Sequence, residues 1–280
     1  MTECNQCGNT IGTMHQVFED HYICDHCYDS WTRGAILAHD VKPIAEFFGE
    51  GNFFYGLEVE MMDGSHPYQM AGYLNYLLPE IYTKRDGSVP GGFELVTHPC
   101  SKDYHESMDY DHIFALCEKE GYKSHDASCS CGLHIHVSRA PLSPRSIGAQ
   151  LYLIHKFWDK YVKFSRRKSG DVNIWAGKYD NISFPSPFTF EQLYTIARNE
   201  NGRSRYKCIN LQNTSTIEYR IFRGTLKRDT LIASIQFIDT LIHLSLTLSE
   251  EEIRDLSWDD LKAHFSMRKE LKAYLEKRGL

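Results

Sequence analysis

The 280-residue sequence contains no Gly-x-x-x-x-Gly-Lys-Ser/Thr loop and no Gly-x-Gly-x-x-Gly fingerprint, so a nucleotide would have to be held by other means, on the open face of a sheet. It has no basic excess. The formal net charge is −6, which argues against a general nucleic-acid binder, and the local run Arg166-Arg167-Lys168 reads as a solvated helix end. No basic start followed by an apolar run is present, so no export signal is expected and the cytoplasm is the expected compartment. Long uninterrupted apolar runs are missing too. The most apolar stretch, residues 231–248, carries Gln236, Asp239 and His243 and reads as a buried amphipathic helix, with no membrane partner. There are no internal repeats and no low-complexity tracts.

What is present suits a folded chain. Apolar residues make up 42% and aromatics 13%, enough for one large domain, or one domain plus a small module, with a buried core. The nine cysteines are odd in number and accompany no export signal, so reduced thiols and metal binding are expected in place of disulfides.

Residues 1–34 read as a small separate module. Cys4 and Cys7 form one Cys-x-x-Cys pair, Cys24 and Cys27 a second, and Gly8 suits a tight knuckle after the first. Four thiolates at this spacing suit tetrahedral zinc with no open position, hence a structural ion that supplies the folding energy of a segment too short for its own core. His15, His21 and His26 lie close enough in sequence to replace one thiol, but read more simply as loop histidines. A linker helix is expected over 35–50, interrupted at Pro43, and a large domain over 51–280. In that domain strands are expected at 53–61, 93–97 and 132–138, with two more runs in 207–224. Helices are expected at 68–78, 104–121, 145–168, 190–199, 229–248 and 258–277. This irregular mixture favours an α+β fold with an antiparallel sheet.

Four strand-like segments carry the chemistry. In Tyr55-Gly56-Leu57-Glu58-Val59-Glu60-Met61, residues two apart share a face, so Glu58 and Glu60 project together, opposite Leu57, Val59 and Met61. Adjacent carboxylates repel unless a cation or proton joins them. Around Asp86-Gly87 a turn returns Glu94 towards Asp86, and both are oxygen donors of the kind hard cations prefer. His134, His136 and Ser138 share one face of a third strand, a pattern of metal and phosphate sites. Cys129 and Cys131 beside it read as free thiols. Glu218 and Arg220 share a face of a fourth, as either a sheet ion pair or a metal ligand beside a phosphate clamp. Arg203, Arg205 and Lys207 add positive charge upstream.

In this order the segments YGLEVE, KRDGSVPGGFELVTHP, CGLHIHVS and RYKCINLQNTSTIEYRIFRGTL resemble the amidoligase family of the glutamine synthetase and glutamate–cysteine ligase (carboxylate–amine ligase) superfamily, over roughly residues 50–250. The resemblance implies that 51–280 is an amidoligase domain. It implies a curved antiparallel sheet with helices on one face and ATP with Mg²⁺ or Mn²⁺ on the other. It implies that Glu58, Glu60, Glu94, His134 and Glu218 are metal ligands, with Asp86 a further candidate. Arg220 would contact the transferred phosphate and act with Glu218 and Glu60 in catalysis. Lys84, His136, Ser138, Arg205 and Arg223 would line the nucleotide. The implied reaction joins a carboxylate, on a peptide, protein or amino acid, to an amine through an acyl phosphate. A metal-dependent hydrolase and a non-catalytic binding protein on the same scaffold remain as alternatives.

Overall fold

The structure is a computed structural model that describes residues 2–17, 21–33, 35–89, 91–125, 131–182 and 187–280. Its strands are β1 (Met14–Gln16), β2 (Tyr22–Cys24), β3 (Ile36–Leu37), β4 (Tyr55–Met61), β5 (Ile81–Lys84), β6 (Phe93–Thr97), β7 (Gly132–Ser138), β8 (Ile209–Asn210) and β9 (Thr216–Arg223). The helices are α1 (Asp25–Thr32), α2 (Pro67–Leu77), α3 (Lys102–Ser107), α4 (Tyr110–Lys119), α5 (Pro144–Lys156), α6 (Trp158–Ser165), α7 (Ser169–Trp175), α8 (Phe190–Asn201), α9 (Arg228–Thr247), α10 (Glu250–Asp255), α11 (Trp258–Phe265) and α12 (Lys269–Arg278). The fold is α+β. A seven-stranded open sheet runs in the order β3-β5-β6-β4-β7-β9-β8, and all its pairings are antiparallel except β3 with β5.

Strand alternation divides the sheet into two chemically different faces. Leu57, Val59 and Met61 of β4, Leu133, Ile135 and Val137 of β7, and Tyr219 of β9 are wholly buried on one face. That face packs on helices: Tyr55 donates a hydrogen bond to Asp239 of α9 at 2.8 Å, and Tyr219 donates to Gln150 of α5. Helix α9 is long and apolar enough to cross a membrane, yet 72% of its most apolar window is buried inside the fold. Burial of most of its surface explains its near-continuous hydrophobicity. The opposite face of the central strands carries the carboxylates and histidines.

Several expected elements differ in extent. The helix expected over 35–50 is absent. Ile36 and Leu37 instead pair as an edge strand with Thr83 and Lys84, and residues 38–47 run without regular structure. The helix expected over 104–121 is two, α3 and α4, because Asp109 caps a new start by accepting from His112 N–H at 3.1 Å. That expected over 145–168 breaks at Phe157 into α5 and α6, and that over 258–277 breaks after Phe265 into α11 and α12. Cys129 lies outside the described residues.

Candidate active site on the polar sheet face

Register brings the chemistry of five strands into one row. Glu60 sits opposite Glu94, Glu58 opposite His134, His136 opposite Glu218, and Lys84 opposite Glu94. A bulge in β9 sets two residues, Arg220 and Ile221, against His134. Such an insertion re-aims the strand. Glu218 and Arg220 stay on the polar face, while Phe222 turns into the core.

The imidazole of His134 is the hub. Its Nδ1 lies 3.1 Å from Glu58 Oε2 and 3.7 Å from Glu218 Oε1, and its Nε2 lies 3.8 Å from Glu60 Oε1. Two triads that could hold a metal ion result, Glu58–His134–Glu218 and Glu60–Glu94–His134, each with its donor atoms within 4.8 Å of one another. The remaining lone pairs are partly held by the protein. Glu60 Oε2 accepts from Gly132 N–H at 2.5 Å, Glu218 Oε2 accepts from Asn210 at 2.7 Å, and Glu218 Oε1 accepts from Arg220. His136 lies beside the first triad, its Nε2 3.4 Å from Glu58 and its Nδ1 3.0 Å from the Thr216 hydroxyl.

So many carboxylates in one buried place unbalance the charge. Burial pushes Glu94 up to about 9, reinforced by the charges of Glu58, Asp86 and Glu60. A neutral Glu94 can donate to Asp86, whose carboxylate is held below its usual value despite burial by hydrogen bonds from Ser88 and Glu94. Glu58 is likewise held low against its burial by the adjacent His136 and His134. A carboxyl that keeps its proton to pH 9 marks a surplus of negative charge, and a divalent cation would relieve it. Four carboxylates and one imidazole also form a donor set that Mg²⁺ or Mn²⁺ accepts. Asp86 stands outside both triads.

Guanidinium groups flank the triads. Arg220 is buried and its charge centre lies 5.7 Å from the Tyr206 ring centroid, while the exposed Arg205 stacks on the same ring at 5.3 Å. The third guanidinium, Arg167, was not singled out by the sequence. Arg166 ends α6 in the left-handed conformation (φ 65°) and donates outward to Arg223 O at 3.0 Å. Arg167 thereby turns inward, buried, with its Nε donating to Phe222 O at 3.2 Å and its charge acting on Glu60. The run expected to be a solvated helix end therefore puts one arginine into the site. The sequence signal that could have found it is weak: an arginine pair just past the last apolar residue of a helix that packs on β9. Gly132 makes room. A Cβ there would lie 2.5 Å from Arg167 Nη2 and 2.9 Å from His134 Nε2.

Two cavities meet over the triads. One, of about 600 Å³, is lined by Glu60, Asp86, Ser88, His134, Arg167, Arg205 and Arg220 together with the rings of Trp175 and Tyr206. The other, of about 910 Å³, is lined by Glu58, Lys84, Glu94, His136, Ser138 and Asn210 and by residues 212–216. His39, Asp86, His134, Arg205 and Arg220 line both. Arg223 lines neither. Nor does Lys207, whose ammonium is engaged by Glu200 at 2.5 Å and Asp180 at 3.1 Å, or the exposed Arg203. Cys131 is buried and belongs to neither triad.

The second cluster is sulfur. Cys4, Cys7, Cys24 and Cys27 bring their Sγ atoms within 4.8 Å of one another, with Cys7 and Cys24 at 3.7 Å. Cys4 and Cys7 lie on a knuckle before the β1–β2 hairpin, and Cys24 and Cys27 lie at the start of α1. Cys4 Sγ accepts from Cys24 N–H at 3.3 Å, and backbone N–H groups hold this thiol down at about 6 against its burial. His15 is paired with Asp25 at 2.6 Å and His21 stacks on Trp31, so neither belongs to the cluster.

A family model described as "Putative amidoligase enzyme" matches residues 78–242, more than half of the chain, from β5 into α9. No curated protein matches the chain. The matched span holds Glu94, His134, Glu218, Arg167 and Arg220, to which the sheet register adds Glu58 and Glu60 of β4. The chain belongs to the amidoligase family.

Proposed function

We propose that the chain is an ATP-dependent carboxylate–amine ligase of the glutamine synthetase and glutamate–cysteine ligase superfamily, forming an amide or isopeptide bond on a peptide, protein or amino-acid substrate. The observation that carries this reading is the pair of ligand triads sharing His134, flanked on the same sheet face by three guanidinium groups. Glu58, His134 and Glu218 would hold one Mg²⁺ or Mn²⁺, and Glu60, Glu94 and His134 a second. When bound, these ions supply charge neutralisation for a triphosphate.

On this reading the substrate carboxylate attacks the γ-phosphorus of ATP. A P–O bond forms to the carboxylate, the bond to the β-phosphate oxygen breaks, and ADP leaves. The amine then attacks the acyl carbon, phosphate departs, and the amine nitrogen loses a proton to solvent. This route needs no covalent nucleophile from the chain. Arg220, Arg205 and Arg167 bind and orient the equatorial oxygens of the transferred group, a role suited to forked donors in a site partly closed to water. Glu218 holds Arg220 in place by its ion pair. The two cavities divide the nucleoside and the substrates between them, with Lys84, His136 and Ser138 on the wall of the larger one. Cys4, Cys7, Cys24 and Cys27 would hold a structural zinc ion.

The test is ADP release measured against pools of carboxylates and amines, followed by mass spectrometry of the product. Release that requires both partners, and is abolished in Glu60→Ala and Glu218→Ala with the fold retained by circular dichroism, is the expected result. Wild-type rates in either variant, or hydrolysis of an amide without nucleotide, would refute the assignment.

A further inference from the structure

A continuous path of contacts joins the four-cysteine module to the cavities. Trp31 of α1 packs among Tyr73, Tyr76 and His21, and Gly72 of α2 admits it so closely that a Cβ would lie 2.7 Å from the Trp31 carbonyl oxygen. Gln69 of α2 donates to the Tyr28 hydroxyl at 2.8 Å. Immediately after the module, Ala35 O accepts from Asn75 at 2.8 Å and from Thr83 at 2.7 Å, and Arg85 N–H donates to Leu37 O at 2.9 Å. Strand β5, so engaged, continues into Asp86–Ser88 on the wall of the smaller cavity.

Beyond β3 the chain crosses the larger cavity. His39, Asp40, Lys42, Pro43, Ala45 and Phe47 line it, and His39 lines the smaller one as well. This stretch has little structure of its own, with a turn bond from Val41 N–H to Ala38 O at 3.1 Å. Its far end is tied by Glu46 N–H to His98 at 3.3 Å and Phe48 N–H to Pro99 O at 3.0 Å. Its near end is tied by β3, two residues in parallel pairing, which is a weak hold by itself. The near anchor therefore depends on α1 staying docked, and α1 begins between two of the four cysteines. A segment this small draws its folding energy from the bound ion.

We propose that zinc held by Cys4, Cys7, Cys24 and Cys27 is a positioning element of the ligase site: it fixes residues 35–48 as a strap against the β5 edge and so presents His39 to whatever fills the cavities. Because His39 borders both, it meets the nucleotide whichever cavity takes the nucleoside. The role of His39 rests on the ligase reading; the anchoring of the strap by zinc does not.

The experiment uses the full chain. Zinc content is measured, then removed with a chelator from the wild type, and in parallel by Cys7→Ser, which takes away an exposed ligand without hollowing the core. Hydrogen exchange is expected to quicken about tenfold at residues 36–48 and 81–86 while β7 and β9 keep their protection. Binding of Mg²⁺ with a non-hydrolysable ATP analogue, by calorimetry, is expected to weaken about tenfold in the zinc-free protein. His39→Ala should weaken it comparably while keeping zinc and strap protection. A wild type that binds no zinc, a strap equally protected without zinc, or acceleration spread evenly over β7 and β9 would each overturn the anchoring. Wild-type affinity in His39→Ala would overturn its contact role. A zinc-loaded wild type that binds no analogue refutes the ligase reading and with it the role of His39, while the exchange result still decides the anchoring.

Discussion

Replacing Gly132 by alanine puts the geometry of the site to a sharp test. The added Cβ would lie 2.5 Å from Arg167 Nη2 and 2.9 Å from His134 Nε2, both closer than non-bonded atoms tolerate. Neither neighbour yields freely. Arg167 is only 7% exposed and its Nε is tied to Phe222 O at 3.2 Å, while His134 is held at 3.1 Å by Glu58. Overpacking of this kind costs about 1–3 kcal/mol, which for a chain of this size lowers the melting temperature by roughly 2–10 °C. The larger effect falls on the site. His134 serves both triads, so turning its ring disturbs both, and losing the support of a ligand's orientation costs roughly 10–100-fold in metal affinity. Gly56→Ala on the adjacent strand is the control, because its Cβ meets nothing closer than 3.7 Å. Thermal unfolding and Mn²⁺ binding followed by electron paramagnetic resonance read the two effects separately. A Gly132→Ala protein with wild-type melting and wild-type Mn²⁺ affinity would refute both the packing argument and the placement of His134 as a shared ligand.

Other perturbations probe the frame around the site. His105 is fully buried between the Tyr110 hydroxyl at 2.7 Å and the Tyr55 carbonyl at 2.9 Å, and burial lowers it to about 4. Since the unfolded chain binds this proton near pH 6.5, stability is present above that value and is lost as pH falls towards 4, by roughly 2 kcal/mol at pH 5. Urea unfolding at pH 7 and pH 5 should show a smaller loss in His105→Gln, and an unchanged slope would sink the argument. Glu200 is held down at about 2, against burial, by Lys207 and by the N–H groups of Asp180 and Asn181. Its contribution is present above pH 4.5 and fades as pH falls through 2. Glu200→Gln should therefore destabilise the chain at pH 7 but not near pH 2, with equal stability at pH 7 as the refuting result. Removing divalent cations from the wild type should abolish ADP release and restore it on adding Mg²⁺ or Mn²⁺, and activity that survives chelation would exclude the triads from the reaction.

The polar faces of the strands were legible because side chains alternate with period two. Glu58 with Glu60, His134 with His136, and Glu218 with Arg220 follow from that rule alone, and the structure puts each pair on the polar face. The cysteine spacing was legible for a similar reason, since two close pairs need only one reversal of the chain to converge. What alternation does not carry is the order of strands. That β4 lies between β6 and β7 depends on long-range pairing, and only that order makes His134 the neighbour of four carboxylates.

The features that escaped sequence reading share a cause: each depends on a local break in regular structure. Arg167 enters the site because Arg166 adopts a left-handed conformation at the end of α6, where helical periodicity has stopped. Lys207, expected to add to the phosphate-facing charge, is withdrawn by Glu200 on α8, a partner outside its own strand. The edge strand β3 is two residues long, below what any periodic pattern resolves, and residues 38–47 after it have no period at all. Yet these residues line the larger cavity, and His39 among them borders both. Regular strands can fix ligands to a rigid frame, whereas the parts that select a substrate have to follow its outline and so leave the strand period behind. The family match, residues 78–242, takes in the strands that carry Glu94, His134 and Glu218 and the loop at 212–216, and leaves out residues 35–48 together with β4. Differences in substrate choice between this chain and other amidoligases should therefore map to residues 35–48 and to the loop at 212–216, and exchanging those two segments should change which amine or carboxylate supports ADP release while leaving Mn²⁺ affinity at the triads intact.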